Sequence, residues 1–311
     1  MSAQPDSWPQ LRYEDYKDTK ATLHMYAQII GKLRLALTPP LAQWAHAPLR
    51  LSPDGLTTGP LWVGNGTVGI DMDLVHHRVL LQHSDGGSDS VPLEPVSVAT
   101  FYARIQEVLA NLGVRPQINT RPAEVPDPIP FEADMQHASY EPLQANQLWQ
   151  AMIRAGAVFE AFASGYWGKQ TPVSFYWGGF DLGTQRFSGR YLEPPEGLPQ
   201  IMAGSLDAEV FAVGLHFGRP DMPAPGFTAL AYPMPPQAAS ASLRPSQARW
   251  VEMPGMGGLF VLPYEAVQKA ADSRQVLLEF CRSTYETVAE LGGWDRQALE
   301  RRPPEIRSQA A

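Results

Sequence analysis

Apolar positions along the chain recur at helical spacing in several stretches and alternate or cluster in short runs elsewhere. Leu23, Tyr26, Ala27 and Ile30 fall at i, i+3, i+4 and i+7, which predicts a helix over Tyr16–Lys32 with Gly31 as its stop. Leu33, Leu35 and Leu37 then alternate with Arg34 and Ala36, predicting a strand that Pro39–Pro40 ends. More strands are expected at Leu49–Leu51, Leu56–Val63 and Val68–Gln82, parted by turn residues at Pro53–Gly55 and Gly64–Gly66. Ser84–Asp89 (SDGGSD) reads as a tight polar turn. Ser97 is placed to cap a helix over Val98–Leu112 that Gly113 closes.

Residues 114–131 carry five prolines and no periodicity, so they read as an extended linker. A helix is predicted over Pro142–Tyr166, with Trp149, Ile153, Val158 and Phe162 among its apolar positions. Val173–Phe180 reads as a core strand, followed by a glycine-punctuated basic tail to Arg190. After a proline-rich loop, strands are expected at Glu209–Phe217, Phe227–Tyr232, Ala248–Val251 and Leu259–Leu262. A long helix, broken near Asp272, spans Tyr264–Leu291 and is capped by Gly292–Gly293; residues 1–12 and the tail after Trp294 read as loose.

Two halves look alike in this pattern. Each has a helix meeting a Gly-Lys step (Gly31–Lys32, Gly168–Lys169), then strands, then a helix ending in Leu-Gly (Leu112–Gly113, Leu291–Gly292). Successive strands joined by short polar turns pair antiparallel. The expected fold is therefore α+β, an antiparallel sheet with helices mainly on one side, and the order suggests two similar α-β-β-β-α halves. The first half is residues 1–113, the linker 114–131 and the second half 132–311, with one continuous domain as the alternative.

Composition narrows the function classes. A net charge of −8, with Arg301–Arg302 as the one basic cluster, argues against nucleic-acid binding. No apolar run is long enough to span a membrane, and the N-terminal MSAQPDSWPQ lacks a signal-peptide pattern, so the expected location is cytoplasmic. The single cysteine, Cys281, excludes a disulfide framework and sits in an apolar helical pattern as a core thiol. Walker A, G-x-S-x-G, H-E-x-x-H and dinucleotide fingerprints are all missing, so no cofactor is expected and no catalytic residue stands out.

Candidate chemistry concentrates around Gly168–Arg190. Trp177 shares strand parity with Val173 and Phe175, Gly178–Gly179 permits close backbone approach, and Asp181, Arg186 and Arg190 supply an acid and two guanidiniums. Two readings stay open: ion pairs that hold a strand end, or a ligand clamp. If the halves are related, Lys32 and Lys169 add positive charge near one axis, and His24 lies on the helix beside Lys32. The predicted site is a pocket at the junction of the halves, lined by His24, Lys32, Lys169, Trp177, Asp181, Arg186 and Arg190, that takes a small anionic or polar molecule. A non-catalytic interaction or scaffold role is the alternative. A metal-dependent hydrolase is weaker: on one long strand Asp73 and His77 lie roughly 13 Å apart, too far for one ion, and no metal is expected.

Several stretches carry a resemblance: LHMYAQIIGKLRLALTPPL, GLTTGPL, IDMDLVHHRVLLQHSDG, SVATFYARIQ, FEADMQHASYEP, FYWGGFDLGTQRFSGR and LLEFCRSTYETVAELGGWD. In these the chain resembles an uncharacterised, mainly bacterial family known only as a domain of unknown function. The resemblance runs through nearly the whole chain and implies one family unit with no assigned activity. It also implies that relatives tend to carry histidine at the positions of Gln43, Ser174 and Ala208, so any chemistry resting on those histidines is missing here.

Overall fold

A computed structural model describes residues 7–194, 196–197, 204–220, 222–253 and 257–300. Eleven strands form two wholly antiparallel sheets, and six α-helices accompany them among the described residues. The first sheet has the order β1 (Arg50–Leu51), β2 (Gly55–Val63), β3 (Gly66–Asp73), β4 (Arg78–His83) and β5 (Ser88–Pro92). The second contains β6 (Ser174–Tyr176), β7 (Asp181–Tyr191), β8 (Ala208–His216), β9 (Gly226–Tyr232), β10 (Arg249–Met253) and β11 (Gly257–Pro263). Its order is β10-β11-β9-β8-β7-β6. The α+β class is the one the turn spacing predicts.

The helices are α1 (Tyr13–Leu37), α2 (Val98–Asn111), α3 (Pro142–Ala163), α4 (Tyr264–Gln268), α5 (Ser273–Leu291) and α6 (Arg296–Leu299). α1 packs on β2, α2 and α3; α3 packs on β1, β7 and α5; α5 packs on β8 and β9. The sheets meet where Leu49 and Phe175 exchange backbone hydrogen bonds of 3.0 and 2.9 Å. Both residues are fully buried, and one apolar cluster takes in Leu56 and Val79 of the first sheet with Phe211 and Phe260 of the second.

Several expectations are met. Ser97 Oγ accepts the Thr100 N–H at 3.2 Å and starts α2. Asp272 Oδ1 accepts from the Gln275 N–H at 2.8 Å, the break expected between α4 and α5. Gly86, at φ 100°, lies in the β4–β5 turn. Cys281 is fully buried, and burial pushes its thiol up to about 12.

Others are corrected. Leu33–Leu37 is not a strand but the last turns of α1: Ile29, Ile30 and Leu33 are all fully buried, a helical spacing that continues past Gly31. The helix ends only at Thr38 (φ −118°, ψ 140°), whose extended backbone Pro39 demands. Val68–Gln82 is a hairpin, because Asp73 Oδ1 accepts the N–H groups of Val75 (3.0 Å) and His76 (2.7 Å) and turns the chain. The core strand expected over Val173–Phe180 ends at Tyr176. Trp177–Phe180 is a turn, and the basic tail after it is the long strand β7. The start of the chain is less loose than expected, since Trp8 sits edge-on to Phe227 and Tyr264 at 5.8 and 5.7 Å. Residues 1–6 and 301–311, with Arg301–Arg302, lie outside the described residues.

The repeat signals divide. Gly31–Lys32 lies inside α1 while Gly168–Lys169 follows α3, so the Gly-Lys steps do not mark matching points. The two later helix ends resemble each other locally, but one residue out of register with the Leu-Gly pairs, because Gly293 and not Gly292 takes the place of Gly113. Gly113 and Gly293, at φ 75° and 60°, each close a helix whose next residue, Val114 or Trp294, donates at 2.8 Å to the carbonyl five residues earlier.

Candidate functional site

The seam between the sheets is built on Trp177, at the tip of the β6–β7 hairpin. Its indole lies flat on α1 at Gly31, where an added Cβ would sit 2.3 Å from ring atoms. Its Nε1–H donates to the Ala47 carbonyl at 2.9 Å, tying the hairpin to the segment between α1 and β1. Lys32 Nζ stands over the same indole, 5.9 Å from its centre. Lys32 is only 9% exposed, and burial lowers its pKa. Among the described residues it makes no ion pair, so the indole face is its one recognised cationic contact.

Behind the hairpin lies a polar cluster. His24 Nε2 is 2.9 Å from both the Trp177 and Gly178 carbonyls, so that nitrogen carries the proton. Burial and then Lys20 push His24 down to about 4, leaving it neutral. Asp181 opens β7, and burial pushes it up to about 7, with Lys20 opposing and Glu124 reinforcing the rise. The paired glycines explain how these acids come so close. An added Cβ on Gly178 would meet Glu124 Oε1 at 2.3 Å, and one on Gly179 would meet Asp181 Oδ2 at 2.3 Å. Lys20 donates to the Gly218 carbonyl at 2.7 Å; burial lowers it to about 8, Asp181 opposing. Gln28 holds the proline-rich segment here, giving its amide N–H to Ala123 O (2.6 Å) and accepting the Ala123 N–H (2.8 Å).

A separate cleft of about 500 Å³ lies between the segment after α1 and the β7–β8 connection. Its walls include Leu41, Gln43, Trp44, His46, Gly204 and Asp207. Gln43 and Trp44 have φ of 51° and 55°, the left-handed region that non-glycine residues enter at a cost of roughly 1–3 kcal/mol. That backbone aims the Gln43 amide across the cleft. Its Nε2–H donates to Asp207 Oδ1 at 2.6 Å, and its Oε1 accepts from the Lys169 ammonium. His46, 5% exposed, accepts the Leu41 N–H on Nδ1 at 3.1 Å, and Trp44 stacks on its ring at 5.6 Å. Burial and the Arg34 charge lower its pKa, so the ring is neutral with its proton on Nε2. Among the described residues that Nε2–H makes no hydrogen bond, and the ring lies on the cleft wall.

The residues predicted from sequence therefore divide by surroundings. His24, Lys32, Trp177 and Asp181 gather about the hairpin turn, and Lys169 joins Gln43 at the cleft. Arg186 and Arg190 have other partners. Arg186 is 4% exposed and lies among Phe162, Tyr166 and Tyr285. Arg190 pairs with Glu209 at 2.5 Å and donates to the Gly292 and Gly293 carbonyls that end α5. On β7, Asp181 and Arg186 have opposite parity and so face opposite sides of the sheet. Gln43 reaches the residue beside Ala208, whereas Ser174 contacts Arg50 instead. Asp207, His46, Lys20 and Glu124 were missed; the one local hint was W-x-H between prolines at Trp44–His46.

Asp54, Asp73 and His76 hold ligand-type atoms within 4.8 Å of one another, a grouping that the single-strand reading of Val68–Gln82 could not show. The Asp73 carboxylate is already taken up by the turn, the His76 ring at 2.8 Å and the Arg78 guanidinium at 3.6 Å. Among the described residues no helix is long and apolar enough to cross a membrane. No curated protein and no solved structure matches the chain. A family profile does match, over residues 8–301 of 311: the chain belongs to the family of unknown function DUF5996.

Proposed function

We propose that this protein binds a small polar or anionic molecule in the cleft beside Gln43. The observation that carries the reading is the neutral His46 ring on the cleft wall, whose Nε2–H makes no hydrogen bond among the described residues. An acceptor oxygen of the ligand accepts a hydrogen bond from that N–H, and the Lys169 ammonium adds positive charge at the rim. Asp207 and the Gln43 amide supply acceptor and donor on the opposite wall, so the ligand carries both kinds of group. The left-handed backbone at Gln43 and Trp44 supports the same reading, since strain of this kind persists where the surroundings hold it for a purpose.

The test is a thermal-shift screen of the full chain against amino acids, hydroxy acids and short dicarboxylates. At least one member should raise the melting temperature, and His46→Phe and Asp207→Asn should each abolish that shift while remaining folded. Failure of every member to stabilise the wild type, or shifts that survive both substitutions, overturns the reading.

A further inference from the structure

Arg186 leaves β7 on the face opposite Asp181 and runs into an aromatic enclosure. Its guanidinium carbon is 3.5 Å from the Phe162 ring centre, 4.4 Å from Tyr285 and 4.8 Å from Tyr166. Nη2 donates to the Phe162 carbonyl, but the buried Nε has no partner. Among the described residues no carboxylate forms an ion pair with it. Uncompensated burial brings its pKa down to about 10, with the nearby phenols and then Glu300 opposing the fall. The acid nearest in effect, Glu300, is already engaged: Arg296 donates to it at 2.7 and 3.1 Å and the Tyr285 hydroxyl at 2.9 Å.

Arg186 does not point into solid core. It lines a cavity of about 200 Å³ together with Arg282, Arg296, Tyr285, Glu286 and Glu300. Arg282 is exposed and makes no hydrogen bond or ion pair among the described residues. Its i+4 neighbour Glu286 is turned to Arg244 at 3.4 Å and Arg296 at 3.8 Å instead. Two guanidiniums thus border one small cavity with donors unspent, while both acids there are held by other arginines. Leaving a buried guanidinium without a counter-charge is strongly unfavourable, and planar N–H forks match carboxylate and phosphate oxygens.

We propose that this cavity is a site for one small oxyanion, a carboxylate or phosphate group, bridged between Arg186 and Arg282. It is separate from the cleft beside Gln43 and does not depend on it. The aromatic rings hold the Arg186 fork flat and exclude water, and Arg282 closes over the anion from the solvent side.

Calorimetric titration of the full chain with inorganic phosphate and, separately, acetate at constant ionic strength tests the proposal. One saturable site is expected; phosphate alone identifies a phosphate group, acetate alone a carboxylate. Arg282→Ala, a surface change that leaves the fold intact, should weaken binding about tenfold, the worth of one charge-assisted hydrogen bond. Arg186→Met, which keeps the stem among the rings, should abolish it. Gln43→Ala should leave it unchanged, which separates this site from the cleft. Absence of saturable binding for both anions, or affinity that Arg282→Ala does not alter, overturns the proposal even if Arg186→Met fails to fold.

Discussion

Asp181 shows how far a single side chain can depart from its ordinary behaviour when packing removes its water. Burial is the main cause of the rise from 3.8 to about 7; Lys20 offsets part of it and Glu124 adds to it. A carboxyl whose folded value is raised contributes stability that is complete below its unfolded value and lost as pH rises to the folded one. For Asp181 that window runs from 3.8 to about 7. His24 works in the opposite sense: lowered from 6.5 to about 4, its contribution is complete above 6.5 and lost as pH falls. Asp181→Asn removes only the carboxyl's share. Its stability relative to wild type should therefore climb between those limits and level off above about 7, as read by urea denaturation across pH. A difference independent of pH would mean that the carboxylate is solvated. Lys32 is the parallel case for a base, held against an indole where a surface lysine would have water or an acid.

At the level of elements, α1 illustrates how a local reading fails when tertiary contact decides. Glycine usually weakens a helix by about 1 kcal/mol relative to alanine, which is why Gly31 reads as a stop. Here the helix passes through it, because only glycine lets the Trp177 ring lie on the backbone. Two effects of Gly31→Ala then compete. Propensity favours alanine by about 1 kcal/mol, while a Cβ at 2.3 Å from a buried ring forces repacking that costs typically 1–3 kcal/mol. Overpacking should win, and the variant should melt lower than wild type; an equal or higher melting temperature would show that the indole moves aside freely. The hairpins teach a related lesson. Asp73 and the pair Gly178–Gly179 are turn-forming residue types, yet the strand-like patterns around them read as continuous strands. Run length does not register a carboxylate accepting two backbone N–H groups.

For the whole molecule, the contact that matters most is the buried exchange between Leu49 and Phe175. It joins the edge of one sheet to the edge of the other, and residues of both sheets belong to one apolar cluster. The chain should accordingly unfold in a single cooperative step, with tryptophan fluorescence and far-ultraviolet circular dichroism giving coincident transitions. Two separated transitions would show that residues 1–113 and 132–311 are independent units. The proline-rich segment between them bears on this, since Phe131 is fully buried and Ala123 is clasped by Gln28 from α1. Chain that is packed in this way is part of the folded core and not a free tether.

Periodicity, turn residues and caps were enough to determine the α+β class, the antiparallel pairing, most element positions and the buried thiol, because each depends on neighbours within a few residues. They also pointed to Trp177, His24 and Asp181 as unusual residues. Only the tertiary structure decided which of them meet. It set Asp181 and Arg186 on opposite faces of β7, gave Lys169 to Gln43, and brought His46 and Asp207 into one cleft from distant parts of the chain. Burial, unspent hydrogen-bond donors and shifted protonation arise from contacts between separate elements, such as Gln43 with Asp207 at a separation of 164 residues, and local spacing carries no record of them.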